Sequence, residues 1–239
     1  MDEDEKRLGR HVAYVPAPYP KGLVLDGKSV RLEPLAPAHS EALHHAFLTS
    51  ADGAIWDYLP YGPFDSADAY GEWIAENIAA GDPHFFAIYD KVQSRFVGVA
   101  SYLRISPEAG SIEVGHINFS PLMQNTVMAT ETMFLMMGWA FENGYRRYEW
   151  KCNDLNMKSR AAAQRLGFSY EGIFRQAALS KGRNRDTAWF AMIDSEWPRL
   201  KEAFEAWLDP SNFDGGGQQI KKLSSLTAPV RVASDPLLD

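Results

Sequence analysis

From Ser29 to Leu35 (SVRLEPL) apolar and polar residues alternate with the two-residue period of a strand that buries one face. Pro37 to Leu48 then sets Leu43, Phe47 and Leu48 at helical spacing, so strand is followed by helix. A second helix is predicted from Asp65 or Ser66, either of which can cap it, to about Ala79, with Tyr70, Trp73, Ile74 and Ile78 on its apolar side. The segment between the helices, Trp56 to Phe64 (WDYLPYGPF), has the composition of a loop and is unusually aromatic. Three strands are expected next, at His84 to Tyr89, Arg95 to Ser106 and Ser111 to Phe119. The turn-rich DKVQS and SPEAG join them into an antiparallel meander. Gln124 to Glu142 reads as a long helix, apolar nearly all round and closed by Asn143-Gly144, which should lie buried against the sheet. A strand (Tyr145 to Cys152), a capped helix (Asn156 to Leu166, stopped by Gly167), a strand from Phe168 and a last strand (Asp186 to Met192) complete the order βααβββαβαββ. The expected fold is α+β: a mixed, mostly antiparallel sheet flanked by helices, with one central β-α-β crossover and no internal repeat.

The ends read differently. Met1 to about Pro20 is charged and then punctuated by Pro16, Pro18 and Pro20, which fits an extended lead-in. Gly215, Gly216 and Gly217 follow a predicted last helix, Ser195 to Leu208; the remainder has no clear period, although Val230 and Val232 could pack as a strand. The organisation is therefore an N-terminal extension (1–22), one domain (23–208) and a C-terminal tail (209–239).

Composition narrows the classes. The 239 residues are 46% hydrophobic and 23% charged, ordinary globular usage. Lys and Arg number 24 against 31 Asp and Glu, a formal charge of −7 that repels phosphate backbones, so nucleic acid is not the expected partner. Cationic or amine ligands are mildly favoured. Cys152 is the single cysteine, which removes disulfide frameworks and cysteine-based zinc sites; no metal is expected, and a reducing, cytoplasmic setting fits. The first residues, MDEDEKR, lack the apolar stretch of a secretory signal, and the apolar run Met133 to Phe141 is far shorter than the ~20 residues that span a bilayer, so no membrane anchor is expected.

Three constellations carry chemistry. A strand ends at Phe119, Ser120-Pro121 break it, and Gln124-Asn125-Thr126-Val127-Met128-Ala129 open the long helix, whose free N–H groups could receive a pyrophosphate; most helix starts bind nothing. Asn156 precedes an amphipathic helix that ends at Leu166-Gly167-Phe168, so it could orient a ligand amide or simply cap. In Ile112-Glu113-Val114-Gly115-His116-Ile117-Asn118-Phe119, period two puts Glu113, Gly115, Ile117 and Phe119 on one face and His116 on the other. Unless a bulge intervenes, Glu113 and His116 cannot share a site. A Glu among apolar neighbours can act as a base near neutrality, and a solvated carboxylate at a strand edge is the plain alternative.

In this order along the chain the three resemble the GNAT superfamily of acyl-CoA-dependent N-acyltransferases, and within it the RimJ/RimL-like branch, from about Leu23 to Leu208. The carriers are VRLEPL, IEVGHINFSP, QNTVMATE, NMKSRAAAQRLGF with SYEGIFRQ, and RDTAWFAM with SEWP. The resemblance implies a splayed strand pair, Ser111 to Phe119 against Tyr145 to Cys152, that holds acetyl-CoA or another acyl-CoA. Pantetheine would pair with backbone at Ile117, Asn118 and Phe119. The phosphate loop maps to Gln124, Asn125, Thr126, Val127, Met128, Ala129 and Thr130, with Val127 where the family usually has glycine. Asn156 matches the family asparagine that contacts the pantetheine arm, and Ser159 the small polar position one turn later. The Tyr that protonates the leaving thiolate in many relatives is replaced here by Ala163, which makes Ser159 the candidate donor. Glu113, through water, is the candidate proton acceptor. The implied function is transfer of acetyl to a primary amine, either a protein N-terminal α-amine or a small amine; another acyl group such as succinyl, or an acyl-CoA-binding module without turnover, stays open.

Other residues are weighed singly. Trp56, Tyr58 and Tyr61 either line the acceptor pocket or pack their loop. Arg160 and Arg165 either meet the 3′-phosphate of CoA or form a solvated basic face. Lys181, Arg183 and Arg185 read as a solvated basic turn. Cys152 reads as structural, His44 and His45 point about 100° apart and do not share a metal, and Met133, Met136 and Met137 are core. A homodimer is compatible with all of this.

Overall fold

A computed structural model describes residues 3–238; Met1 and Asp2, the start of the charged lead-in, lie outside the described residues. The elements are α1 (Glu3–Leu8), β1 (Leu25–Asp26), β2 (Val30–Pro34), α2 (Ser40–Phe47), α3 (Ala67–Ala80), β3 (His84–Asp90), β4 (Arg95–Ser106), β5 (Ser111–Phe119), α4 (Val127–Glu142), β6 (Arg147–Asn153), α5 (Met157–Leu166), β7 (Ser169–Ser180), β8 (Arg183–Ile193), α6 (Trp197–Leu208) and α7 (Leu223–Thr227). Eight strands form one open mixed sheet in the order β1-β2-β3-β4-β5-β6-β8-β7. Every neighbouring pair is antiparallel except β5 and β6, which the α4 crossover makes parallel.

The sheet is covered on both faces. Alternate residues Phe86, Ile88, Tyr102, Ile112, Val114, Tyr148 and Trp150 point to the face packed by α4, α5 and α6, where Met133, Met136, Met137, Leu166 and Phe204 complete the larger core. The other face buries Phe85, Ala87 and Val99 beneath Leu43 and Phe47 of α2 and Tyr70 and Ile74 of α3. The all-round apolar pattern of α4 is explained by this position. Its one buried carboxylate, Glu131, accepts hydrogen bonds from the Lys28 and Ser29 backbone N–H groups and from the Ser29 hydroxyl, tying the helix to the β1–β2 turn. Gly27 in that turn has to be glycine-sized, because a Cβ there would lie 2.6 Å from a Glu131 carboxylate oxygen.

The end segments belong to the same body. Ala17 is buried in the larger core, Tyr14 donates to the Pro107 carbonyl, and Tyr145 donates to the Pro18 carbonyl. At the other end Leu223, Thr227, Val230 and Asp235 are buried against α5, α6 and β7. Val232 is exposed, and no strand forms there among the described residues. Pattern cannot see this docking because it rests on single anchors rather than a repeat.

Candidate acyl-transfer site

The β5–β6 ladder pairs Ser111–Val114 with Arg147–Trp150 and then stops. Both strands run on, β5 to Phe119 and β6 to Asn153, each still paired on its outer edge with β4 and β8. Residues 115–119 of β5 and 151–153 of β6 therefore line a V-shaped opening without a partner strand. Backbone edges of this kind accept an added extended chain.

A bulge shapes the opening. Ser101 pairs with Gly115 and Val99 with Asn118, so two β5 residues, His116 and Ile117, face the single β4 residue Ala100. His116 takes the left-handed φ of 49°. The extra residue breaks the two-residue period, and so corrects the expectation that His116 and Glu113 lie on opposite faces. The imidazole points into the α2/α3 face, stacked on the Tyr61 ring with centroids 5.5 Å apart and edge-on to Phe85 at 5.2 Å. Its Nδ1 lies 3.3 Å from the Tyr61 hydroxyl. Burial, with the positive charges of Arg104 and Arg185 nearby, pushes its pKa down to about 4, so the ring is neutral at physiological pH.

Glu113 shares that face and is only 3% exposed. One oxygen meets Arg104 Nη1 at 2.8 Å and the other Lys151 Nζ at 2.7 Å, while Lys151 also reaches Glu149 at 2.7 Å and sits 3.8 Å above the Trp189 ring. Both oxygens of this buried carboxylate thus face a cation. Glu113 is accordingly held as a counter-ion, not presented as an open base.

Two helix starts flank the opening. Asn125 takes φ 59° and delays α4 to Val127, three residues after the predicted start, and Thr126 caps it by accepting from Ala129 N–H. Gln124 donates to the Phe119 carbonyl, which fastens the turn to the end of β5. At α5, the Asn156 side chain accepts from Ser159 N–H at 3.1 Å, and Ser159 Oγ accepts from the Trp150 indole at 3.0 Å.

The sequence matches the acetyltransferase (GNAT) domain family over residues 29–169. The chain belongs to the GNAT acetyltransferase family. A GCN5-related N-acetyltransferase from Brucella melitensis is 43% identical, with a TM-score of 0.86 over 90% of this chain and 99% of its own. A GNAT protein from Chromobacterium violaceum is 40% identical, with a TM-score of 0.74 over 79% of this chain and 95% of its own. RimL, a ribosomal L7/L12 alpha-N-protein acetyltransferase solved in complex with coenzyme A, is similar in fold, with 23% identity and a TM-score of 0.60 over 72% of this chain and 99% of its own. Among curated proteins none matches the sequence.

GNAT enzymes use acetyl-CoA, and the opening has features that fit its pantetheine arm: the unpaired β5 edge at Ile117, Asn118 and Phe119, and a buried Asn118 Oδ1 that finds no donor among the described residues. Val127, Met128 and Ala129 form the first turn of α4; the Thr126 cap takes Ala129 N–H, and the N–H groups of Val127 and Met128 have no acceptor within the helix and can meet phosphate oxygens. Val127 has φ in the ordinary range and a partly exposed side chain, so the missing glycine costs the turn no strain.

Several expected ligands are committed elsewhere in this GNAT chain. Arg160 is 2% exposed and grips Asp235 with two 2.6 Å bonds, and its third donor reaches the Asp154 carbonyl. It cannot meet a 3′-phosphate. Arg165 donates to Thr130 Oγ1 at 2.8 Å between α5 and α4, which also removes Thr130, 1% exposed, from the phosphate surface. Trp56 is buried among Phe47, Phe64 and Tyr70, as core rather than pocket lining. Its loop is pinned by Tyr58, whose hydroxyl donates to the Leu155 carbonyl, and by Lys181, whose ammonium donates to the Trp56 carbonyl. Of the three aromatics only Tyr61 touches the floor of the cleft. Burial raises the Cys152 thiol to about 11, so it is an inert thiol. Among the described residues no His, Cys, Asp and Glu group could hold a metal, and no helix is long and apolar enough to cross a membrane.

Proposed function

We propose that this GNAT enzyme transfers acetyl from acetyl-CoA to a primary amine, a protein N-terminal α-amine or a small amine, in a ternary complex. The observation that carries the reading is the opening between β5 and β6, with the neutral His116 and Tyr61 on its floor and the starts of α4 and α5 at its rim.

When bound, acetyl-CoA supplies an activated thioester; the C–N bond forms as the C–S bond breaks, and one proton passes from amine to thiol overall. The chain supplies position and polarity. The β5 edge from Gly115 to Phe119 offers backbone donors and acceptors to an extended arm, and Asn156, already capping α5, offers its amide on the opposite side. His116 takes over the role expected of Glu113. In the tautomer whose Nδ1–H donates to Tyr61, Nε2 carries a lone pair that can take the amine's proton. Glu113 is a positioning residue that sets Arg104 and Lys151 around that ring. Ala163 is wholly buried, so no side chain at that position can act as acid; Ser159 at the start of α5 is the hydroxyl left to serve the departing thiolate.

Acceptor-dependent thiol release from acetyl-CoA across a panel of amines tests the reading. Release that saturates in both substrates supports it. Saturable acetyl-CoA binding with no amine-dependent thiol reduces the protein to an acyl-CoA-binding module, and release from succinyl-CoA but not acetyl-CoA changes the acyl group.

A further inference from the structure

On the sheet face that carries Glu113, the cations of β4 and β6 are paired with acids. Arg104 is paired with Glu113, Lys151 with Glu113 and Glu149, and Arg147 with Glu149 and Glu171. Arg185, on β8, has no ion pair or side-chain hydrogen bond among the described residues, and its Nε is shielded from water without an acceptor. The nearest acid in sequence, Asp186, is already occupied: its Oδ1 accepts from Gln176 N–H at 2.7 Å and Asn184 Nδ2 at 2.8 Å.

Its position is fixed from two sides. Asn153 of β6 pairs with Thr187 of β8, so Arg185 lies two residues beyond the last paired residue of β6, at the end where β5 and β6 part, and its charge is felt by both His116 of β5 and Cys152 of β6. Arg185, Thr187 and Trp189 follow the two-residue period of β8 on the face that carries His116 and Lys151. Trp189 Nε1 is likewise a buried donor with no acceptor. Leaving such donors unmatched costs free energy that a ligand acceptor would recover. In a chain of formal charge −7, an unpaired guanidinium beside the reacting centre is a local reversal of sign.

We propose that the amine acceptor carries a carboxylate near its amino group and that Arg185 receives it, with Trp189 as a second donor on the same strand face. The inference rests on the acetyltransferase reading above and names its substrate class. The carboxylate has two sources, the α-carboxylate of a free amino acid or the acidic side chain of a second residue behind a protein N-terminal amine.

Matched pairs separate these. One pair is a free amino acid against its carboxamide; the other is a C-terminally amidated tetrapeptide with Glu against Gln at its second position. With acetyl-CoA, the anionic member of one pair is expected to have kcat/KM higher by about tenfold, the value of one charge-assisted hydrogen bond. Arg185→Gln should raise KM for that member about tenfold more than for its neutral partner, with the KM for acetyl-CoA unchanged. Arg185→Lys should recover part of the preference. Equal rates within both pairs overturn the inference, as does an Arg185→Gln loss that falls equally on both members or on acetyl-CoA.

A binding readout keeps this failure distinct from failure of the acetyltransferase reading. In the presence of CoA, N-acetylglycine should raise the melting temperature of the wild type more than N-acetylglycinamide does, and Arg185→Gln should abolish the difference. That shift without turnover of any amine overturns the catalytic reading and leaves Arg185 as a carboxylate site. Turnover without it, and with equal rates within both matched pairs, overturns the Arg185 site alone.

Discussion

Arg160 and Arg185 both act on the Cys152 thiol, and the fold treats them in opposite ways. Arg160 is buried with each nitrogen of its guanidinium answered: two bonds to Asp235 and one to the Asp154 carbonyl. Arg185, beyond the paired end of β6, has no answering group among the described residues. The first pins the last segment of the chain onto α5 and β7, where Asp235 N–H also donates to Gln164 and Tyr170 N–H to the Ala233 carbonyl. The second contributes to no such joint. A buried charge with its partner in the chain is part of the architecture, whereas one left without a partner beside a cleft invites a partner from outside.

The comparison is broken most forcefully at Arg160. Arg160→Gln leaves the Asp235 carboxylate buried and uncompensated, a loss of about 3–5 kcal/mol. Chemical denaturation should show it as a large drop in midpoint with little change in slope. An effect below about 1 kcal/mol, the value of an exposed pair, would mean the joint is solvated and the contrast false.

His116 sharpens the contrast through pH, since it feels Arg185 and Arg104 together. Its folded pKa, about 4, lies below its ordinary value of 6.5. The unfolded chain then binds the proton more tightly, so the contribution is complete above pH 6.5 and fades as pH falls toward 4. Between pH 7 and pH 5 this costs roughly 2 kcal/mol, at ~1.4 kcal/mol per pKa unit. His116→Gln should flatten that part of the stability curve; an unchanged slope would assign it to other groups.

Asn156→Ala comes next. Removing a cap costs about 1 kcal/mol. If Asn156 also meets the pantetheine arm, KM for acetyl-CoA rises as well; a stability loss with that KM untouched leaves it a cap only. The smallest effect belongs to Arg185→Gln, expected within about 0.5 kcal/mol of the wild type because no internal pairing is lost. A destabilisation equal to that of Arg160→Gln would remove the distinction between the two arginines.

Much of the fold was legible because its signals are local. The alternation in SVRLEPL marks β2, the apolar run of Met133 to Phe141 marks the buried α4, and Asn156 with Gly167 bounds α5 at the residues where the helix begins and ends. The V-shaped opening was expected from family resemblance and is placed by the ladder that ends at Val114 and Trp150. Three residues were misread for physical reasons. A two-residue period cannot register a bulge, so without one it sets His116 on the face opposite Glu113. Arg160 looked like any basic residue on an amphipathic helix, because its partner Asp235 lies 75 residues away. Arg185 was grouped with a basic turn, whereas the reversal occurs at Lys181-Gly182 and β8 already begins at Arg183. The signal that would have separated it was the alternation Arg185, Thr187, Trp189, which continues the strand pattern back into the supposed turn.

The sequence by itself determined the order and type of most elements, the caps, and the family, since these depend on periods and motifs within a turn or two of each residue. Only the tertiary structure decided which charges are spent on one another. Ion pairing depends on distances across the sheet and between segments remote in sequence, and the same arginine is a brace or a binding group according to whether an acid from another part of the chain reaches it.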